Sequence, residues 1–393
     1  MTTIVARRYD TAQSVRVSWD GDRIARVAPA ADSAGKQKLP WLAPGLVDLQ
    51  VNGYGGCEFG AVGLTSESAA NVLGRMFAFG LTTVIPTFTT ESFDVLAAAM
   101  RVTVTALDAD ANLARLVPCF HLEGPYISAD DGPRGAHAVK HCRPPDWDEF
   151  CRLQEAAGGR IRLVTLAAEY AESPEFIRRA TAAGCVIALG HTAPKTEQLG
   201  AAVDAGAKLS THLGNGAHLQ LPRHPNYIWD QMAEDRLWAS LIVDGFHVPP
   251  AVVKTIVRAK TPQRIVLISD FAGSAGLPPG RYEASGGPIE LLENGKLVVA
   301  GNPGLLAGAA KPLGDAIANV MWMADVPLRT AIDTASRQPA ELMGLPSCSF
   351  RPGDPADLCL FELDGESTGR PTFRPTATVL AGQCVWGELP TTD

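Results

Sequence analysis

The chain has 393 residues, a formal net charge of -8, and 46% hydrophobic against 19% charged residues. This composition is typical of a folded globular protein and excludes a disordered chain. The acidic balance argues against a nucleic-acid or anionic-membrane partner, since either would need a basic face, and favours a small-molecule substrate.

Targeting and redox signals are weak along the whole sequence. No apolar stretch reaches the roughly 18 residues that span a bilayer, and the chain opens on 1–5 without an apolar signal region. We therefore expect a cytoplasmic protein. The eight cysteines are scattered without a CxxC pair, which favours buried thiols over disulfides or a thiolate metal site.

The two ends of the chain share a β-rich pattern. Asp20-Gly21-Asp22 joins the apolar runs 15–19 and 24–27, and Asp-Gly between such runs predicts a hairpin. Similar runs recur at 357–363 and 377–386. We predict one small β domain, a β-sandwich, formed by residues 1–43 and 346–393 together.

The middle of the chain, residues 44–345, alternates apolar runs with alanine-rich helical stretches. This α/β alternation predicts a (β/α)₈ barrel of the TIM type, with a doubly wound sheet as the alternative. After the last strand we expect an inserted hairpin at 281–301 and closing helices at 305–323 and 327–343. The predicted strands cover 46–50, 82–87, 116–120, 161–166, 185–189, 209–211, 239–243 and 265–269.

Polar residues follow nearly every predicted strand, and barrel enzymes place their chemistry at that end of the strands. Glu123, His191 and His212 each stand there, although they are far apart in sequence. Two imidazoles and one carboxylate leave a coordination position open for water and suit catalytic zinc. The alternative for each histidine alone is a hydrogen-bonded loop residue.

Asp270 follows the eighth predicted strand. A carboxylate beside a metal site can act as a general base for water and return the proton to a leaving group. The alternative is a helix N-cap, but 271–276 resembles a loop rather than a helix.

Four further residues are candidates for binding substrate. His247 ends the seventh strand unit, and His137 lies in the Gly- and Pro-rich loop after Glu123, where a surface role is the alternative. Asn215 and Gly216 could offer backbone N–H groups to an anion or carbonyl, with a simple turn as the alternative.

Taken together, these segments resemble the amidohydrolase superfamily, and within it the branch that deacetylates amino-sugar phosphates. The matching motifs run in order over most of the chain: 43–48 through Asn52-Gly53, His121-Leu122-Glu123-Gly124-Pro125, Gly135-Ala136-His137, Gly190-His191-Thr192, Thr211-His212-Leu213 with Asn215, Asp244-Gly245-Phe246-His247-Val248, Ser269-Asp270, and Leu306-Ala307-Gly308.

The resemblance implies a homodimeric enzyme that hydrolyses the acetamide of an N-acetylated amino sugar, with N-acetylglucosamine-6-phosphate as the expected substrate. It makes Asp270 the acid and base, and assigns substrate contacts to His137, His247 and the motif of Leu306. The residues that it assigns to one divalent metal are Glu123, His191 and His212. Zinc is the expected ion, with iron(II) or another divalent ion as the alternative.

Two segments depart from the family. Many amidohydrolases begin with a His-x-His pair that holds a second metal, whereas this chain has Gln50-Val51-Asn52, which predicts a single metal. The family usually follows Thr-His-Leu with Asn-Ala-Met, whereas this chain has 214–218, Gly-Asn-Gly-Ala-His. That region supplies phosphate contacts in the family, including a cationic residue from the partner subunit.

Arg223 is the expected substitute for that phosphate contact. Tyr227 and Trp229 would instead suit an uncharged sugar or another amide. Two alternatives to the phosphate deacetylase therefore remain: a related amidohydrolase acting on an unphosphorylated acetylated sugar or a cyclic amide, and a non-catalytic sugar-binding relative.

Overall fold

The computed structural model describes residues 1–30, 39–284, 287–365 and 369–390. Both ends of the chain contribute to one seven-stranded sheet, which confirms the β domain predicted from the two termini. Its N-terminal strands are β1 (Thr2–Arg8), β2 (Ser14–Asp20), β3 (Arg23–Pro29) and β4 (Trp41–Pro44), and its C-terminal strands are β19 (Leu358–Asp364), β20 (Thr372–Leu380) and β21 (Gln383–Gly387). The order is β21-β20-β19-β4-β1-β2-β3. The domain boundaries at 43 and 345 stay predictions.

The centre of the molecule is a parallel eight-stranded sheet whose strands follow one another in chain order. A parallel bridge between Val51 and Phe271 joins its two edges. The predicted barrel is thereby confirmed. Its strands are β5 (Leu46–Val51), β8 (Leu81–Thr89), β9 (Phe120–Glu123), β10 (Ile161–Leu166), β11 (Val186–Leu189), β12 (Leu209–Ser210), β13 (Trp238–Leu241) and β14 (Ile265–Leu267).

Helices and short strands connect and cover the barrel. The helices are α1 (Ser66–Met76), α2 (Phe93–Ala109), α3 (Ala111–Leu116), α4 (Trp147–Ala156), α5 (Ser173–Ala182), α6 (Thr196–Asp204), α7 (Tyr227–Ala233), α8 (Pro250–Lys260), α9 (Leu313–Ala324), α10 (Leu328–Asp333) and α11 (Arg337–Met343). The short strands β6 (Gly53–Tyr54) and β7 (Cys57–Glu58) form a hairpin after β5.

The apolar run at 116–120 was wrongly predicted to be strand throughout. Leu116 ends helix α3, and the strand begins at Phe120. The helix forms because the Asp110 side chain caps it, accepting hydrogen bonds from the backbone N–H groups of Asn112 and Leu113.

The segment after the barrel also differs from prediction. The expected hairpin is a four-stranded antiparallel sheet, and Leu306 lies in its last strand rather than in a helix. Its strands are β15 (Gly280–Ala284), β16 (Gly287–Leu291), β17 (Leu297–Val299) and β18 (Asn302–Leu306).

The helix predicted at 327–343 is divided into α10 and α11. The backbone carbonyls of Thr334 and Ala335 accept hydrogen bonds from Leu267 of β14 and Val47 of β5. In a continuous helix Ala335 would accept from residue 339, but Pro339 has no backbone N–H, so the helical ladder is interrupted where these carbonyls bond to the barrel strands. The break thus joins the helices to the N-terminal end of the barrel.

Apolar side chains fill the barrel below its C-terminal mouth. Val47, Leu163, Val186 and Val266 belong to one buried cluster there, and α11 adds Ala340, Leu342 and Met343 to it. The site residues therefore lie above this apolar cluster, at the mouth of the barrel. Within the described ranges no helix is long and apolar enough to cross a membrane.

Close packing between neighbouring strands requires a glycine at position 190. A Cβ atom on Gly190 would lie 2.6 Å from Thr211 Cβ and 2.9 Å from Thr165 Cγ2. We expect Gly190→Ala to lower the free energy of unfolding by about 1–3 kcal/mol, because two β-branched side chains would have to shift. Urea unfolding with a chelator present measures this without a metal contribution.

Gly200→Ala is the matched control, since Gly200 lies inside α6 with no atom within 4 Å of the added Cβ. It should stabilise the protein by about 0.5–1 kcal/mol. Equal urea midpoints for Gly190→Ala and the wild type would contradict the packing argument.

Candidate metal-binding and catalytic site

Three buried side chains converge at the mouth of the barrel. Glu123 Oε1 lies 3.2 Å from His212 Nε2 and 3.4 Å from His191 Nε2, and the two imidazole nitrogens are 3.0 Å apart. One ligand atom from each residue falls within 4.8 Å of the others, an arrangement that could hold a metal ion. The barrel thus brings together the three residues predicted as ligands.

The backbone is strained at three of the site residues. His191, His212 and Asp270 have φ of 51°, 31° and 53°, in the left-handed region that non-glycine residues rarely adopt. Each follows a barrel strand by a few residues. Such conformations persist where the surrounding structure enforces them, and they are frequent at functional sites.

The loop after β9 sets the orientation of His191. The imidazole Nδ1–H donates to the backbone carbonyl of Pro133 at 2.9 Å, so in the neutral form of the ring Nε2 carries the lone pair. Gly135 and Gly216 lie against the ring, because added Cβ atoms would be 3.2 Å from Cε1 and 3.0 Å from Nδ1, respectively. Both glycines have positive φ.

Asp270 is linked to Glu123 by an amide side chain. Gln50 Nε2 donates to Glu123 Oε1 at 2.8 Å and to Asp270 Oδ1 at 2.9 Å. Asn52 Nδ2 donates a further hydrogen bond to Asp270 Oδ1 at 2.8 Å. Both hydrogens of the Gln50 side-chain NH₂ group are therefore used to hold two carboxylates side by side.

A register shift explains why Gln50 reaches the mouth. Asp48 pairs with Val84, yet Val51 pairs with Pro86, so β5 contains one more residue than β8 between these pairs. A bulge of this kind re-aims side chains at the rims of barrels. The buried Asp48 carboxylate supports the bulge by accepting from the backbone N–H groups of Gln50 and Ser269.

Burial and mutual attraction determine the charge states of this group. Burial and the neighbouring Glu123 charge raise the pKa of Asp270 to about 6. Burial acts to raise the pKa of Glu123, but hydrogen bonds and attraction from His191 and His212 hold it well below its usual value. The site thus keeps one carboxylate ionised while the other titrates close to neutral pH.

His137 lies beside the metal-binding group. Its Nδ1 is 2.9 Å from Thr90 Oγ1, and its Nε2 is 3.2 Å from His191 Nε2. Burial, and then the charge of His191, lower the pKa of His137 to about 3, so the ring is neutral near pH 7. His137 therefore lies beside His191 and does not have the surface role that was the alternative.

His247 is held by an acidic partner. Its Nδ1 lies 2.8 Å from Asp244 Oδ2, while Asp244 Oδ1 accepts from the backbone N–H groups of Phe246 and His247. Burial acts to raise the pKa of Asp244, but these hydrogen bonds keep it below its ordinary value. The pair is therefore an ionised carboxylate and a fixed imidazole.

The other predicted substrate residues lie at different depths. Asn215 is held near the site, since its backbone N–H and its side chain both donate to the carbonyl of His212. Leu306 is half-buried in β18, two residues before Gly308, whose added Cβ would lie 3.7 Å from the Asp270 carbonyl oxygen. Arg223 is exposed on the segment before α7.

Several residues that shape the site lack an assigned role in the sequence prediction. Gln50 was identified there only as a departure from His-x-His, Asn52 as part of that departure and of the Asn52-Gly53 motif, and Asp244 only as part of a motif. Pro133 acts through its backbone carbonyl, which no side-chain pattern reveals. Asp244 carries a usable signal, because an Asp three residues before a His can close a turn onto it.

A parallel barrel with two histidines and two carboxylates at its C-terminal mouth defines a barrel hydrolase with a metal-binding group. Comparison with known families agrees: the model of the amidohydrolase family matches residues 41–385. The chain belongs to the amidohydrolase family, a family of metal-dependent enzymes that hydrolyse carbon–nitrogen bonds. The resemblance predicted from the motifs is confirmed.

Known relatives cover most of the chain. Human N-acetylglucosamine-6-phosphate deacetylase is 31% identical over 88% of this chain and 83% of its own length. N-acetylgalactosamine-6-phosphate deacetylase from Shewanella sp. is also 31% identical, over 78% of this chain and 75% of its own. A variant of the Mycobacterium smegmatis N-acetyl-D-glucosamine-6-phosphate deacetylase, solved with that sugar phosphate, has a TM-score of 0.85 and 28% identity, over 98% of this chain and 100% of its own.

The Gln50 bridge can be tested by a substitution that keeps its shape. Gln50→Glu would place a third carboxylate between Glu123 and Asp270. We expect it to lower the free energy of unfolding of the metal-free protein by about 3 kcal/mol at pH 8. The folded-state pKa of the new carboxyl would be raised, so the destabilisation is absent below its ordinary pKa and grows as pH rises.

Urea unfolding at pH 4.5 and pH 8 measures this difference. Gln383→Glu is the matched control, because Gln383 is exposed on β21. It should leave stability unchanged at both pH values. A pH-independent effect of Gln50→Glu would show that the amide does not separate two charged groups.

Proposed function

We propose that this protein hydrolyses the acetamide of an N-acetylated amino-sugar 6-phosphate, releasing acetate and the free amine, with N-acetylglucosamine-6-phosphate as the first substrate. The observation that carries the proposal is the arrangement in which Gln50 holds Asp270 beside Glu123, His191 and His212. Relatives named for this reaction on two different sugars support the substrate class.

Glu123, His191 and His212 are the proposed ligands of one divalent metal, and zinc is the proposed ion. Two imidazoles and one carboxylate are the ligand set of several catalytic zinc sites. The hydrogen bond from His191 Nδ1–H to Pro133 supports this, because in the neutral form of the ring it leaves Nε2 unprotonated and directed at the group. A divalent ion bound there supplies Lewis acidity toward a carbonyl and toward water.

Asp270 is the proposed general base and acid. Asp270 stands beside the proposed metal ligands, and burial raises its pKa to about 6 in the metal-free protein, so its carboxylate can accept a proton from water and return it. As the water oxygen bonds to the acetamide carbon, its proton passes to Asp270. When the carbon–nitrogen bond breaks, Asp270 donates that proton to the departing nitrogen, so that acetate and the amine leave.

His137, His247, Asn215, Gly216 and Leu306 are the proposed substrate contacts. His137, Asn215 and Gly216 contact His191 or His212, which supports this role. His247 follows the strand next to that of Asp270, and Leu306 stands two residues before Gly308, which lies beside the Asp270 backbone. The neutral ring of His137 suits hydrogen bonding to a polar substrate rather than attraction to an anion. Arg223 is the proposed phosphate contact, and its exposure leaves its guanidinium accessible.

Acetate release tests the function directly. The purified protein, supplied with zinc, is assayed with N-acetylglucosamine-6-phosphate, N-acetylgalactosamine-6-phosphate and unphosphorylated N-acetylglucosamine. We expect turnover of a phosphorylated sugar with kcat/KM at least about tenfold above that of the unphosphorylated one, from one or more charge-assisted hydrogen bonds to phosphate. No turnover of any of the three would reject the proposal and leave other amides to be tried.

Arg223→Ala provides the matching variant for this assay. It should raise KM for the phosphorylated sugar and leave the unphosphorylated one unchanged. Arg26→Ala, an exposed arginine of β3, is the control and should alter neither. An equal effect of Arg223→Ala on both sugars would remove phosphate recognition from Arg223.

The role of Asp270 has its own test. Asp270→Asn keeps an oxygen that can accept from Gln50 and Asn52 but cannot take a proton, so we expect kcat to fall by about 10²–10⁴-fold. Metal content by elemental analysis should stay at the wild-type value. Asp235→Asn, an exposed control, should retain full activity. Normal turnover by Asp270→Asn would remove Asp270 from proton transfer.

A homodimer is proposed as the assembly, and the cytoplasm as the location. Leu219 and Trp229 support the dimer, because they expose 95% and 51% of their surface on the segment between His212 and the end of α7. Large apolar side chains that are exposed on one segment often mark a protein interface. Sedimentation of the purified protein measures the oligomeric state.

A further inference from the structure

The imidazole of His247 has one nitrogen engaged and one available. Nδ1 is bound to Asp244, whereas Nε2 makes no hydrogen bond to any residue in the described part of the chain. The side chain is only 6% exposed, so little of the ring faces solvent. Nε2 therefore has no protein partner among the described residues and is open to a ligand.

Its position places it at the catalytic mouth. His247 follows β13 and Asp270 follows β14, and these strands are hydrogen-bonded neighbours in the barrel. His247 and Asp270 therefore stand after adjacent strands, on the same side of the barrel. A substrate whose acetamide lies between Asp270 and the metal-binding group would pass close to His247.

The partner of Nδ1 decides what Nε2 can do. A carboxylate only accepts hydrogen bonds, so Nδ1 must carry the proton that points to Asp244. Asp244 is ionised and fixed by two backbone N–H groups, and it cannot turn away without losing them. In the neutral imidazole the proton is then on Nδ1, and Nε2 carries a lone pair.

We infer that Asp244 is a positioning residue that fixes the tautomer of His247, so that the neutral ring accepts a hydrogen bond from the substrate through Nε2. The donor is a sugar hydroxyl or the acetamide N–H, since these are the donors that an N-acetylated amino sugar offers. This differs from a role as donor to the acetamide oxygen, which would need the opposite tautomer or an imidazolium. The inference rests on the proposed function for the identity of the donor.

Asp244→Asn is the decisive variant, because it reverses one hydrogen bond and keeps the rest. The Asn oxygen can still accept from the N–H groups of Phe246 and His247, while its NH₂ group faces Nδ1. The imidazole must then carry its proton on Nε2 and present a donor to the substrate. Nitrogen NMR of histidine-labelled protein, assigned by the signal lost in His247→Gln, reads the tautomer without any substrate.

We expect a proton on Nδ1 in the wild type and on Nε2 in Asp244→Asn. In kinetics, Asp244→Asn should raise KM roughly tenfold or more with a smaller change in kcat, because a substrate donor would meet a donor. In the His247→Gln background the same substitution should change KM less than twofold. A purely structural role would give the same effect in both backgrounds.

Substrate analogues that lack one hydroxyl each separate the two donors. The analogue that lacks the partner hydroxyl should bind the wild type and Asp244→Asn equally. If every analogue keeps the difference, the acetamide N–H is the donor. A wild-type ring protonated on Nε2 alone, or on both nitrogens at pH 7.5, would overturn the inference. Absence of turnover in the wild type would reject the proposed function while the NMR result still stands.

Discussion

Two buried carboxylates, Glu123 and Asp270, share the hydrogens of a single amide at the centre of this structure. Burying an unpaired charge is far more costly than burying a paired one, and two like charges side by side add repulsion. The structure balances Glu123 with His191 and His212, and Asp270 with the amides of Gln50 and Asn52. Glu123, His191, His212 and Asp270 stand at the ends of four different barrel strands, and Gln50 and Asn52 stand at the end of a fifth, β5. The buried charges are therefore compensated only when the barrel is closed.

The backbone around the site shows what this convergence costs. His191, His212 and Asp270 adopt positive φ, which stores strain in each residue. The strain is maintained by rigid surroundings, such as the Pro133 carbonyl and the two glycines that enclose the His191 ring. Precise placement of the side chains is therefore obtained from backbone packing rather than from side-chain contacts alone.

Most of the fold could be predicted because it follows from periodicity and composition. Apolar runs located seven of the eight barrel strands, while the third was placed too early at 116–120. The placement of Glu123, His191, His212 and Asp270 followed from barrel topology. Details set by tertiary hydrogen bonds could not be predicted: α10 and α11 separate where barrel strands use their intervening carbonyls, and Gln50 reaches the site through a register shift. A single sequence shows neither of these pairings.

The amides at the end of β5 also distinguish this chain from amidohydrolases with a His-x-His pair, because they donate directly to the two carboxylates. In amidohydrolases that have a His-x-His pair at this position, the pair holds a second cation. Here that cation would lie near the two carboxylates to which Gln50 donates hydrogen bonds. A nearby divalent charge would strongly favour the ionised form of Asp270 and make it a weaker base. Neutral amides supply only partial positive charge, so in the metal-free protein burial and Glu123 raise the pKa of Asp270 to about 6. With Gln50 and Asn52 in place of two imidazoles, the pKa of Asp270 would be lowered only by an ion on Glu123, His191 and His212, and not by a second cation as well.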